Sequence, residues 1–174
     1  MSFETNKILG EIGALLMVIG PFAGAYTAGL ALIGFIMLIV AFYGLSDYYK
    51  ERGIFNNALF GGIIFLVGGA VAVGIIISAA VGVLSLFGFE LSNWSNPAYI
   101  QNFNWQSFTN FSALLPYIGA VVGAVVIFFV LAIIAAFLAR RSFVTLAQKS
   151  GTGMFATAGT LLFVGAILTI ASGR

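Results

Sequence analysis

The residues able to do ionic or acid–base chemistry are few and fall in three places. Lys7 and Glu11 stand four apart near the start. Asp47, Lys50, Glu51 and Arg52 cluster within "GLSDYYKERGIFNNALFGG" (44–62), and Arg140, Arg141 and Lys149 lie within "RRSFVTLAQKSGTGMFATAG" (140–159). Glu4, Glu90 and Arg174 complete the charged set. Cys and His are absent, so this sequence offers no disulfide, no thiolate or imidazole metal ligand and no Cys–His or Ser–His pair. Among the five carboxylates no two share the interior of one apolar segment, which leaves paired-carboxylate catalysis and a buried proton relay without material. The expectation is a chain with no catalytic, cofactor or metal site and no enzymatic activity.

The elements that hold these residues are apolar. Hydrophobic residues make up 61% of the chain and charged ones 7%, against about 25% charged in a soluble domain. Such a chain cannot cover itself in polar groups, and the expected location is the cell membrane, as a multi-pass integral protein. The net charge of +2 points to membrane orientation rather than to nucleic acid.

Apolar stretches run near 6–22, 27–45, 59–88, 115–139 and 154–172. They predict an all-α transmembrane helical bundle of about five spans in a single domain over 1–174, with a connection at 89–114. A cleaved signal peptide ending at "AGA" (23–25) is disfavoured, because Glu4, Lys7 and Glu11 do not make the positive start it needs. Lys7, Lys50, Arg52, Arg140, Arg141 and Lys149 fall at the start or in the second and fourth connections, and the 89–114 connection has no Lys or Arg. By the positive-inside rule the N-terminus and both basic islands face the cytoplasm. The two islands therefore read as inner loops that return a helix to the bilayer. Gly53, Asn56 and Asn57 in one, and Thr152, Gly153 and Phe155 in the other, supply turn, capping and interface residues. Their likeness also fits a weak repeat of two helix–loop–helix units.

Lys50, Arg52, Arg140, Arg141 and Lys149 are the inner interaction residues, with anionic lipid headgroups as the partner. "QKSGTG" lacks the glycine spacing of a phosphate loop. Glu11 is the one ionisable group placed inside a predicted span. A pairing with Lys7 on the same face is the plain reading, and a proton or cation site the sharper one. Along the third segment Ala70, Gly74, Ser78, Gly82 and Ser85 form a small-residue ridge suited to close helix contact. Gly119 with Gly123, Ala132 with Ala136, and Ala156, Gly159 and Ala166 repeat the pattern. The 89–114 connection holds Trp94, Tyr99, Phe103, Trp105, Phe108 and Phe111, an interfacial aromatic belt. Asn93 and Asn110 begin glycosylation sequons there.

"LSDYYKERGIFNNALFGGII" (45–64), "RRSFVTLAQKSG" (140–151), "FATAGTLLFVGAILTI" (155–170) and "LGEIGALLMVIGP" (9–21) carry a resemblance to an archaeal family of polytopic membrane proteins filed as a domain of unknown function. The resemblance implies a fold class and a lineage, and no activity. Members generally run on through another hydrophobic segment, whereas this sequence ends at Ser172-Gly173-Arg174. The function expected is that of a non-catalytic accessory or scaffold subunit, or a self-assembling envelope component. Such a protein would be a homo-oligomer or part of a larger membrane complex. The alternative is a small oligomeric channel or carrier for uncharged or weakly charged solutes.

Overall fold

A computed structural model of the chain describes residues 3–20, 27–88, 93 and 111–171. The described residues form five α-helices and no strand: α1 (Phe3–Ile19), α2 (Thr27–Tyr48), α3 (Arg52–Leu86), α4 (Leu115–Ser150) and α5 (Met154–Ala171). A short 3₁₀ turn at Phe111–Ala113 leads into α4, whose first turn holds Pro116, where a missing N–H costs nothing. The all-α expectation with five helices holds. Three of the five, α2, α3 and α4, are long and apolar enough to cross a membrane. α1, with 17 residues, and α5, with 18, reach about 26–27 Å at 1.5 Å per residue, just under a hydrocarbon core of about 30 Å.

The helices divide between two compact units, one comprising Met1–Ile64 with Ile133–Arg174 and the other Phe65–Ala132; α3 and α4 contribute to both. In the first unit α1 lies antiparallel on α2 through glycines. A Cβ on Gly13 would stand 2.8 Å from the Gly34 carbonyl oxygen, and one on Gly34 would stand 2.6 Å from that of Gly13. Lipid gives apolar side chains no drive to leave it, so helices join where small residues let the backbones touch. Gly61 of α3 meets α4 in the same way, since a Cβ there would stand 2.9 Å from the Ala135 carbonyl oxygen. In the second unit α3 and α4 are again antiparallel, with Gly68 against Leu131 and Gly82 against Tyr117.

Large apolar side chains on these helices stay uncovered. Ile77 is 58% exposed and Ile127 57%, an arrangement that water would penalise and lipid does not. The fully buried large side chains lie instead at the basic end. Ile54, Leu146, Phe42 and Ala58 form one buried cluster, with Phe143, Phe155, Leu45 and Tyr49 packed around it. Apolar groups are buried from water where water is the solvent, and this is the part of the chain rich in charge.

The two islands are helical rather than loops, which corrects the sequence reading. α2 runs to Tyr48 and α3 starts at Arg52, so Tyr49–Glu51 is the whole connection; 151–153 is the whole connection between α4 and α5. Asn56, Asn57, Arg140, Arg141 and Lys149 stand on helices, and the residues preceding α3 and α5 are Glu51 and Gly153. Side-chain polarity marks where apolar surface ends, while backbone hydrogen bonding continues until a residue leaves the right-handed region. Those residues are Lys50, at φ 53°, and Gly151, at φ 70°. At the first turn the Glu51 N–H donates to the Ser46 carbonyl at 2.9 Å, the closure expected of a helix ending in a left-handed residue.

Lysine is strained at Lys50 because its Cβ crowds the carbonyl in that region. Lys50→Gly is expected to raise stability by about 1 kcal/mol. It forfeits only an exposed pair with Asp47 at 3.0 Å, which contributes little. Lys50→Ala, which keeps the strain and loses the pair, should bring no gain. Thermal midpoints in detergent check both.

Candidate functional site

The basic residues singled out in the sequence all belong to the first unit, where the two islands form one assembly. Ser142 of α4, fully buried, donates its hydroxyl to the Ile54 carbonyl of α3 at 2.5 Å. Lys149 pairs with Glu51 at 3.3 Å. Ile54 of one island is buried in the cluster and Phe155 of the other packs against it, although the register of the two islands matches Ile54 with Met154, which is 80% exposed. The two islands thus meet through residues that do not match in their common pattern. Each sends an apolar residue into a common core and keeps its charges outside it.

Lysines and arginines part ways here. Lys7 lies 4.0 Å from Glu11, Lys50 pairs with Asp47 and Lys149 with Glu51. Among the described residues Arg52, Arg140 and Arg141 have no acid within 4.0 Å. Arg140 lies against α5, its guanidinium carbon 5.6 Å from the centre of the Phe163 ring, with its Nε buried and unpartnered. Gly159 makes this approach possible, since a Cβ there would stand 3.3 Å from the Arg140 Cα and 2.7 Å from the Phe143 Cβ. Arg141 lies 5.8 Å over Phe137, and the Phe137 and Phe163 rings are 6.2 Å apart.

Glu11 lies exposed on α1, its side chain 64% accessible, beside Lys7 as its place one turn on requires. The buried polar residue of α1 is Asn6, which the sequence reading passed over. It is 1% exposed, its amide oxygen has no partner, and it presses on α2 at Gly44, where any Cβ would fall on the amide. An aromatic group also lies at this end: Phe3 stacks 4.9 Å from Tyr48, and Tyr43 meets Phe55 edge-on at 5.3 Å.

Among the described residues the ridge on α3 makes its close contact within the chain at Gly82. Ala70, Gly74, Ser78 and Ser85 are exposed, and a Cβ on Gly74 would meet no atom within 4 Å. The buried small residues of α3 are Ala58, Gly61, Gly68, Ala72 and Ala79, which fall on a line spaced alternately by threes and fours that also passes through the half-exposed Phe65 and the partly buried Ile75. The reason is geometric. A stripe spaced strictly by four moves round the helix by about 40° per step, whereas alternating three and four stays nearly in line. Gly119 and Gly123 of α4 likewise face open space, while Gly159 of α5 is buried. A groove of about 530 Å³ in the second unit, lined by Ala79, Val83, Tyr117 and Val121 among others, presents no polar group to orient a substrate. Asn93 is exposed. Asn110, Glu90, Arg174 and the aromatic residues 94–108 lie outside the described residues.

Helices of membrane-crossing length, apolar on their outer surfaces and charged at one end, define an all-helical membrane protein. The chain belongs to the family described as "Protein of unknown function (DUF996)", whose model matches residues 30–172. It is similar to the uncharacterized protein MJ1644 of the archaeon Methanocaldococcus jannaschii, 24% identical over 170 residues that cover 98% of this chain and 81% of that one. These findings bear out the archaeal family of unknown function read from the two islands. No solved structure matches.

Proposed function

We propose that this chain is a non-catalytic membrane subunit that works by packing, as an accessory or scaffold component assembling with further copies of itself or with other membrane chains. One observation carries the reading. Ala70, Gly74, Ser78 and Gly119 make small-residue surface on the second unit that the described helices leave uncovered. Close backbone approach by another helix is what such surface favours in lipid. The hydroxyls within the apolar segments support it further. Ser78 donates to the Ile75 carbonyl, Ser85 to Gly82, Thr160 to Ala156 and Thr169 to Gly165, all at 2.8–2.9 Å. A solute path would draw on the same hydroxyls as donors, and here their protons are spent on their own helices.

Gly74→Leu combined with Gly119→Leu fills open space, so the folded chain should keep its thermal midpoint to within a few degrees. Its assembly should break, giving a smaller particle by native mass measurement or light scattering in mild detergent. A parent that purifies alone and monomeric, or a double variant of unchanged size, would remove the packing reading.

A further inference from the structure

Two positive charges stand over one pair of touching rings, and among the described residues nothing negative accompanies them. Among the described residues neither the Arg140 nor the Arg141 guanidinium has a hydrogen-bond acceptor or a carboxylate partner, although the three described lysines all have acids. Arg140 is held by Phe163 of α5 and Arg141 by Phe137 of its own helix. With the rings 6.2 Å apart, both guanidiniums belong to one patch. Stacking on a ring restrains a guanidinium and leaves its in-plane N–H groups free to grip an oxyanion. Like charges gathered in this way, one with its Nε already stripped of water, are at ease only when an anion neutralises them.

We propose that Arg140, Arg141, Phe137 and Phe163 form a binding site for an anionic phosphate, supplied by a lipid headgroup at the polar end of α4 and α5. Guanidinium matches phosphate in geometry as well as charge, because two parallel N–H donors meet two oxygens. The position favours a lipid source. No charged residue lies between Leu115 and Ala139, so Arg140 and Arg141 are the first charges α4 presents on leaving an apolar run of membrane length, at the depth where headgroups lie.

The test uses the full chain in bilayer discs of phosphatidylcholine holding a minor fraction of phosphatidylglycerol. Lipids retained after detergent extraction are counted by native mass spectrometry. The parent should enrich phosphatidylglycerol over phosphatidylcholine. Arg141→Gln, an exposed substitution that leaves packing intact, should cut that enrichment about 5-fold, and Arg140→Gln with Arg141→Gln about 25-fold. Arg140→Lys, which keeps the charge and loses the fork, should fall between parent and Arg140→Gln. Displacement of the retained lipid by millimolar inorganic phosphate supports the phosphate site and makes the free anion a competing source; resistance to displacement supports the lipid as occupant. Equal retention of the two lipids by the parent overturns the proposal. So does undiminished enrichment in the double variant at an unchanged thermal midpoint.

Discussion

Ile54→Ala is expected to destabilise the protein by about 3 kcal/mol, whereas Ile77→Ala should cost less than about 1 kcal/mol. The same chemistry is deleted in both. Ile54 is fully buried in the first turn of α3, enclosed by Phe42, Ala58 and Leu146, at an end of the helix where charged side chains mark the presence of water. Its removal loses transfer free energy and leaves a cavity that the Ser142–Ile54 hydrogen bond helps to keep from collapsing. Ile77 is more than half exposed on a helix long and apolar enough to cross a membrane, where a lipid chain would replace what the deletion takes away. Alanine's better helix propensity offsets part of the remainder. Denaturation midpoints in mixed micelles measure both. Equal losses would mean that the basic end is not the water-facing core that its burial pattern describes.

Gly34→Leu should have an effect at least as large, about 3 kcal/mol or more, seen as loss of folded protein on purification. A Cβ at Gly34 would stand 2.6 Å from the Gly13 carbonyl oxygen and 2.9 Å from both the Leu16 Cβ and the Met17 nitrogen. Two of the three obstacles are backbone, so the helices themselves must move apart, and overpacking of this kind is not relieved by a rotamer change. Even Gly34→Ala should cost about 1–2 kcal/mol. Gly29 on the same helix is the control. No atom lies within 4 Å of a Cβ there, and alanine is better than glycine by about 0.5–1 kcal/mol in mid-helix and by less in a first turn such as this, so Gly29→Ala should cost nothing or stabilise slightly. If Gly34→Leu leaves the thermal midpoint in place, α1 and α2 do not meet at their glycines.

These contrasts separate positions that look alike in the sequence. Gly34 and Gly29 are both helical glycines among apolar neighbours, and so are Gly61 and Gly74. Nothing in composition or local pattern says which of each pair touches a backbone. The ridge at Ala70, Gly74, Ser78, Gly82 and Ser85 is the more visible small-residue pattern, yet only Gly82 of the five meets α4. The same limit hid the phosphate patch in part. Arg140 and Arg141 stand out as charges, but their aromatic partners are ordinary phenylalanines, and Phe163 lies more than twenty positions further along the chain. Asn6 gave no signal at all, because a lone amide near a helix start reads as surface.

What the sequence determined by itself was the apolar, helical class of the chain and the residue types it lacks. Hydropathy adds residue by residue along the chain. A run of some 20 apolar residues in lipid must also satisfy its own backbone, so five apolar segments translate into helices without any tertiary knowledge. The want of Cys, His and paired carboxylates is likewise a property of the list. The tertiary structure decided which face of each helix packs, how far the helices run into the polar islands, and which charges end with a partner. In lipid an apolar side chain is equally content inward or outward, so polarity carries no directional information along α2, α3 or α4. Direction comes instead from steric fit between backbones, at Gly13 with Gly34 and Gly61 with Ala135. That fit is settled only when two distant segments are laid side by side.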